Sequence, residues 1–144
     1  MNLGRLGLLR KVKDFMNIGN RDFILKMLPK QSVCAEIGVS TGRFSKRILK
    51  IIKPSKLYLI DPWSVSGCTN YQLQNHVTTQ KTYDENFANV TKTFLKHDNV
   101  LILHGKSKDV LNTFSDSFFD WVYIDGSHFY DDVLSDLEIS RKKV

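Results

Sequence analysis

The feature that most constrains this chain is an alternation of two periods. Short apolar runs at 33–37, 57–60, 100–103 and 119–124 read as strands. Between and after them lie stretches whose apolar residues recur every three or four positions: Phe44, Ile48, Ile51 and Ile52; then Tyr83, Phe87, Val90 and Phe94; then Val133, Leu134 and Leu137. Strands joined through helices form a parallel sheet, because each right-handed crossover carries the chain back to the same end before the next strand begins. The expected fold is therefore α/β, a Rossmann-like parallel sheet with helices on both faces.

Breakers and caps divide the chain further. Leu6, Leu9, Val12, Phe15 and Met16 fall near helical spacing, and Phe23, Met27 and Leu28 mark a second helical stretch ended by Pro29. Residues 1–32 are thus read as an N-terminal helical segment and 33–144 as the α/β domain. Pro54 is placed to stop the helix after the first strand. Residues 108–114 form a short helix that Ser107 is positioned to cap. The last helix starts near Tyr130, with Asp131 and Asp132 in the first turn, where the helix dipole favours anions. The stretch 62–81 is polar and aperiodic, and loops of that length tend to be functional. Trp63, Tyr71 and His76 within it are candidates for a substrate lid, Trp63 by covering a cofactor. His76, His97 and His104 share no ligand spacing and read as surface or loop residues.

Composition excludes several classes of function. A chain of 144 residues supports one domain with a substantial core, not two. Hydrophobic residues at 42% and charged residues at 25% match soluble globular proteins. No apolar run approaches the roughly 20 residues that cross a bilayer, and Arg5 and Arg10 interrupt the N-terminal segment, so neither a membrane span nor a secretory route is expected. Cys34 and Cys68 form neither a metal-binding pair nor a disulfide framework, which fits a reducing cytoplasm. The net charge of +6 is uneven, since residues 1–60 hold 13 Lys and Arg against 3 Asp and Glu. These cations are scattered at helical spacing without interleaved aromatics, so solvated helix faces are expected and no nucleic-acid partner is.

In a parallel sheet, ligands bind beyond the carboxyl ends of the strands. The segment Ala35-Glu36-Ile37-Gly38-Val39-Ser40-Thr41-Gly42 leaves the first strand through two glycines, which permit tight turning and close approach of a ligand to the backbone. Their spacing is not that of a dinucleotide fingerprint, and no Lys-Ser/Thr follows as a phosphate-cradling loop requires. Asp61 closes the second strand 23 residues after Gly38, where a carboxylate can accept from both hydroxyls of a ribose. Together they predict a nucleoside-bearing cofactor.

The segments EIGVSTGRFS, LYLIDPW and FDWVYIDGSHFYDDVLSDL resemble, in order, successive motifs of class I S-adenosylmethionine-dependent methyltransferases, nearest to the small-molecule O-methyltransferase-like group with an IDG-x-H signature. The resemblance implies that Gly38, Ser40 and Gly42 line the methionine and ribose portion of S-adenosylmethionine. It also implies that Asp61 holds the ribose hydroxyls, that Glu36 supports the turn and that Ser107 lies near the adenine. Asp125 and His128 fall at the reacting end. The acceptor is then a small molecule, with a hydroxyl of a metabolite or sugar expected.

Methyl transfer is an in-line displacement from a sulfonium, so alignment and removal of a proton are what the protein must supply. His128 is one base; alternatively Asp125 and His128 hold a divalent metal that acidifies the hydroxyl. Ser127 stands where many relatives have a second Asp, which weakens the metal reading. The plainer reading makes Asp125-Gly126-Ser127-His128 a turn that caps the following helix. The family usually has seven strands and four are legible, so a chain truncated after the fourth strand is expected, its open sheet edge available for oligomerisation. An NAD-type oxidoreductase and a non-catalytic fragment that assembles with a partner are the competing functions.

Overall fold

The computed structural model of the protein describes residues 21–67 and 79–144. The expected helix around Leu6 to Met16, together with Tyr71 and His76, lies outside the described residues. Residues 21–27 are helical (α1). There follow β1 (Val33–Ile37), α2 (Arg43–Ile52), β2 (Lys56–Asp61), a 3-10 turn (Val65–Gly67), α3 (Gln80–Phe94), β3 (Val100–His104), α4 (Ser107–Leu111), β4 (Trp121–Ile124) and α5 (Tyr130–Lys143). The four strands form one parallel sheet in the order β3-β2-β1-β4, the Rossmann-like arrangement that alternation predicts.

Because side chains along a strand alternate between faces, each strand feeds two cores. Cys34, Leu57, Leu59 and Trp121 meet Leu25 of α1, Phe44, Ile48 and Ile52 of α2, and Val90 and Phe94 of α3. On the other face Ala35, Ile37 and Ile60 pack with Leu111 of α4 and Phe119, with Ile139 of α5 against them. Desolvation pushes the buried Cys34 thiol up to about 12, so it behaves as a small core residue and not as a nucleophile.

Local expectations fail where helix phase or capping depended on neighbours. In α1 the buried anchor is Leu25, while Phe23 and Met27 are 63% and 71% exposed. In α5 it is Asp136, Ser140 and Lys143 that are buried, whereas Leu134 and Leu137 face outward. Beside the core contact of Ile139, the inward side of α5 carries polar bonds: Asp136 accepts from Ser107 of α4, and Lys143 donates to the Phe114 carbonyl and to Asp116. The α2 helix ends on Lys53, left-handed at φ 51°, whose amide reaches the Leu49 carbonyl; Pro54 only follows that stop. Ser107 is not a cap but the first residue of α4, its hydroxyl donating to Asp136 Oδ1 at 2.5 Å.

Candidate active site

Strand register brings the predicted site residues to one level. Ile37 of β1 pairs with Ile60 of β2 and with Ile124 of β4, so Gly38, Asp61 and Asp125 come next in their strands along a single rim. The Gly38 amide donates to the Ile60 carbonyl and the Asp125 amide to the Ile37 carbonyl, which extends the ladders into the rim itself.

The turn after β1 is held by the carboxylate that ends β2. Asp61 Oδ2 accepts the Ser40 amide at 2.8 Å and Oδ1 accepts the Trp63 amide at 2.7 Å, while the Trp63 indole N–H donates to the Ser40 carbonyl at 2.9 Å. Ser40 and Trp63 both have positive φ, 51° and 37°, conformations that L-residues hold only when their surroundings fix them. The acid thus faces the glycine turn, as a shared sugar site requires. Trp63, however, is no lid: it is 1% exposed, with its ring centroid 4.9 Å from that of Phe87 and 5.8 Å from that of His104. His104 takes part in this ring packing and hydrogen-bonds the Pro62 carbonyl.

The glycines serve the protein's own packing. A Cβ on Gly38 would fall on the backbone of Asp125 and Gly126, and one on Gly42, at φ 72°, would stand 3.0 Å from the Phe94 ring. The element that closely approaches this turn is therefore β4 on one side and α3 on the other. Glu36 lies beneath, buried, and accepts the Ser45 hydroxyl of α2 at 2.5 Å. Its burial, assisted by Asp125 and Asp61, pushes the carboxyl up to about 8 against the opposing effect of Ser45.

These rims enclose a cleft of about 580 Å³. Gly38, Ser40, Asp61, Ser107, Asp125 and His128 all line it; Glu36 and Gly42 do not, standing behind the turn. Sequence reasoning missed Asp132 and Asp136, which line the same cleft from α5: Asp132 reads as a helix-dipole residue and Asp136 carries no local signal. Asp136 is 4% exposed and its carboxyl is held above the usual range by burial. Also missed was Arg21, whose Nη1 lies 3.0 Å from Asp125 Oδ2. At the fourth strand's end Ser127 accepts the Phe129 amide and donates to Asp132, and His128 is exposed on the rim. Ser127 orders the turn and His128 borders the opening, but no side chain of the segment caps the following helix, whose N-cap is Phe129.

With the fold and cleft in place, comparison with known proteins defines the class. The profile of the methyltransferase-domain family matches residues 35–144, and the chain belongs to that family. A protein assigned as a type II methyltransferase from Anaeromyxobacter dehalogenans superposes with a TM-score of 0.51 at 12% identity, over 87% of this chain and 42% of its own length. A protein assigned as a caffeoyl-CoA O-methyltransferase from Staphylococcus aureus superposes with a TM-score of 0.51 at 16% identity, over 96% of this chain and 60% of its own length. The chain therefore spans between two fifths and three fifths of those proteins, and at these identities the likeness is one of fold. No curated protein matches it. Among the described residues no helix is long and apolar enough to cross a membrane.

Proposed function

We propose that the chain is the cofactor-binding part of a methyltransferase that uses S-adenosylmethionine to methylate a hydroxyl of a small molecule or sugar. The observation that carries this reading is the placement of Asp61. A carboxylate offers about four acceptor positions, and the Ser40 and Trp63 amides take one on each oxygen. Asp61 borders the cleft, which leaves acceptor positions for a ligand, in number enough for two adjacent sugar hydroxyls.

Charge supports a cationic cofactor over a dinucleotide. The cleft wall carries Asp61, Asp125, Asp132 and Asp136 against Lys106 and Lys108. That balance attracts a sulfonium and repels a pyrophosphate, and the turn lacks the glycine spacing that seats one. When bound, S-adenosylmethionine supplies an activated methyl group. Asp61 would hold the sugar, with Gly38, Ser40, Ser107 and Asp136 lining the cleft around it. His128, exposed on the rim, is the group placed to take the acceptor's proton. A metal does not fit the donors as they stand. Asp125 is turned to Arg21, Ser127 to Asp132, and no group of three ligating side chains occurs among the described residues.

Thermal shift tests the proposal. S-adenosylmethionine and S-adenosylhomocysteine should each raise the melting temperature of the wild type in proportion to affinity, NAD should not, and Asp61→Ala should lose the response relative to its own unliganded midpoint. A shift with NAD alone would overturn the assignment.

A further inference from the structure

Core packing fixes the direction in which each helix of one layer points. Leu25 of α1, Ile48 of α2 and Val90 of α3 all turn toward the same face of the sheet. At about 100° per residue, the positions two before and two after such an inward residue look away from the sheet. On α1 these are Phe23 and Met27, both exposed, with Ile24 exposed beside them. On α2 they are Lys46 and Lys50, also exposed. The two helices are held side by side by the Arg47–Asp22 ion pair and by the Gln31 amide on the Ile52 carbonyl. One outer surface thus carries apolar side chains on one helix and ammonium groups on the next.

Charge on this surface is one-sided. No Asp or Glu occurs from 37 to 60, whereas Arg43, Lys46, Arg47, Lys50, Lys53 and Lys56 all fall there. Of the acids on the three helices, Asp22 pairs with Arg47, Glu85 with Lys81, and Asp84 accepts from Gln80. Among the described residues neither Lys46 nor Lys50 is ion-paired; both border a groove of about 410 Å³ between α2 and α3, whose lining includes Leu49 and Phe94. A solvated helix face accounts for the lysines. It does not account for Phe23, Ile24 and Met27, because apolar side chains exposed singly need no partner but three within five residues form a patch. The sequence leading into α1 has the same character: 1–20 hold Arg5, Arg10, Lys11 and Lys13 against Asp14 alone, among apolar residues.

We infer that the outer surface of α1 and α2 docks on an anionic lipid bilayer, Phe23 and Met27 entering the headgroup region while Lys46 and Lys50 lie against the lipid phosphates. A bilayer surface selects this mixture, since burial of apolar area drives insertion and the negative surface potential attracts the cations. A nucleic acid would engage the same cations but leave Ile24 and Met27 in water, because it binds through its phosphates and by stacking on aromatic faces. The surface is separate from the cleft, which none of these side chains lines. The inference therefore stands apart from the proposed function.

Sedimentation of the full chain with vesicles tests this. Vesicles of phosphatidylcholine with phosphatidylserine should bind the wild type, pure phosphatidylcholine should bind it far less, and added salt should weaken the binding. Lys46→Gln with Lys50→Gln should weaken it about thirtyfold, about fivefold for each charge. Phe23→Ser with Met27→Ser should weaken it about tenfold or more. On the opposite layer, Arg141→Gln with Lys142→Gln on α5 should leave binding within about twofold, because those exposed charges lie beyond the screening length from the bilayer. All the replaced side chains are exposed, so each variant should keep the wild-type unfolding midpoint; should one pair unfold the chain, the other carries the comparison. Equal binding to both kinds of vesicle, equal loss from the α5 pair, or binding that survives either the lysine or the Phe23 and Met27 replacements overturns the inference. So does a wild type that leaves vesicles unbound, whether or not it takes up a single-stranded oligonucleotide.

Discussion

Gly38 and Asp125 touch through their backbones: a Cβ at position 38 would stand 2.3 Å from the Asp125 carbonyl oxygen, with φ at +85°. The turn after β1 and the end of β4 can share a rim only because the side chain is absent. Gly38→Ala combines an unfavourable φ with a collision against main chain, which cannot swing aside. It should cost about 3 kcal/mol or more. At Gly42 the obstacle is the Phe94 ring, which can yield, so Gly42→Ala should cost about 1–2 kcal/mol. Urea unfolding of the two variants checks the order, and equal losses would mean that backbone proximity is not what fixes Gly38.

Asp61 holds two amides of residues with positive φ, one of them in the turn itself. Asp61→Ala leaves both donors without their acceptor. Each such bond to a charged group contributes about 1.5–3 kcal/mol, so a drop in unfolding free energy of about 3 kcal/mol is expected beyond any loss of ligand. Measuring stability without ligand separates this scaffold role from the sugar contact. A fully stable Asp61→Ala protein would show that the turn does not depend on the carboxylate.

Glu36 gives the fold a pH dependence of known sign. Its carboxyl titrates at about 8 in the folded chain, against 4.5 for the free group. Between those values the folded state binds more protons than the unfolded one, so stability falls as pH rises, by at most about 1.4 kcal/mol per pH unit from this group. Glu36→Gln keeps an acceptor for Ser45 and removes the titration. Comparing unfolding midpoints at pH 5.5 and 8, the wild type should lose more than the variant; parallel losses would exclude Glu36 as the source.

The outward face of α5 makes a prediction opposite to its hydrophobic pattern. Leu134 and Leu137 are 39% and 53% exposed. Replacing either with Ser should change stability by under about 0.5 kcal/mol, whereas Asp136→Leu, which breaks the bond to Ser107, should cost more than 1 kcal/mol. Thermal unfolding distinguishes the two faces, and a large loss at Leu137 would show that the pattern, not the packing, describes this helix.

Much of this molecule was legible before any coordinates. The alternation of short apolar runs with helical stripes dictates parallel strands, because chain connectivity alone decides which ends meet, and the residues after those strands had to gather at one edge. That rule marked the segments after the strands, and the resemblance picked residues from and beside them: Gly38, Ser40, Asp61, Ser107, Asp125 and His128 line the cleft, while Glu36 and Gly42 stand behind it. What the linear order left undecided was which partner each side chain meets. Trp63 reads as a lid but is buried in the core, its indole N–H bonded to the Ser40 carbonyl. Ser107 reads as a cap but bonds Asp136 from a helix 29 residues away. Arg21 reads as one cation among many and sits on Asp125 across 104 residues. Local periodicity fixes elements and their ends because those depend on near neighbours; the pairing of charges and the phase of a helix depend on surfaces that only folding brings together.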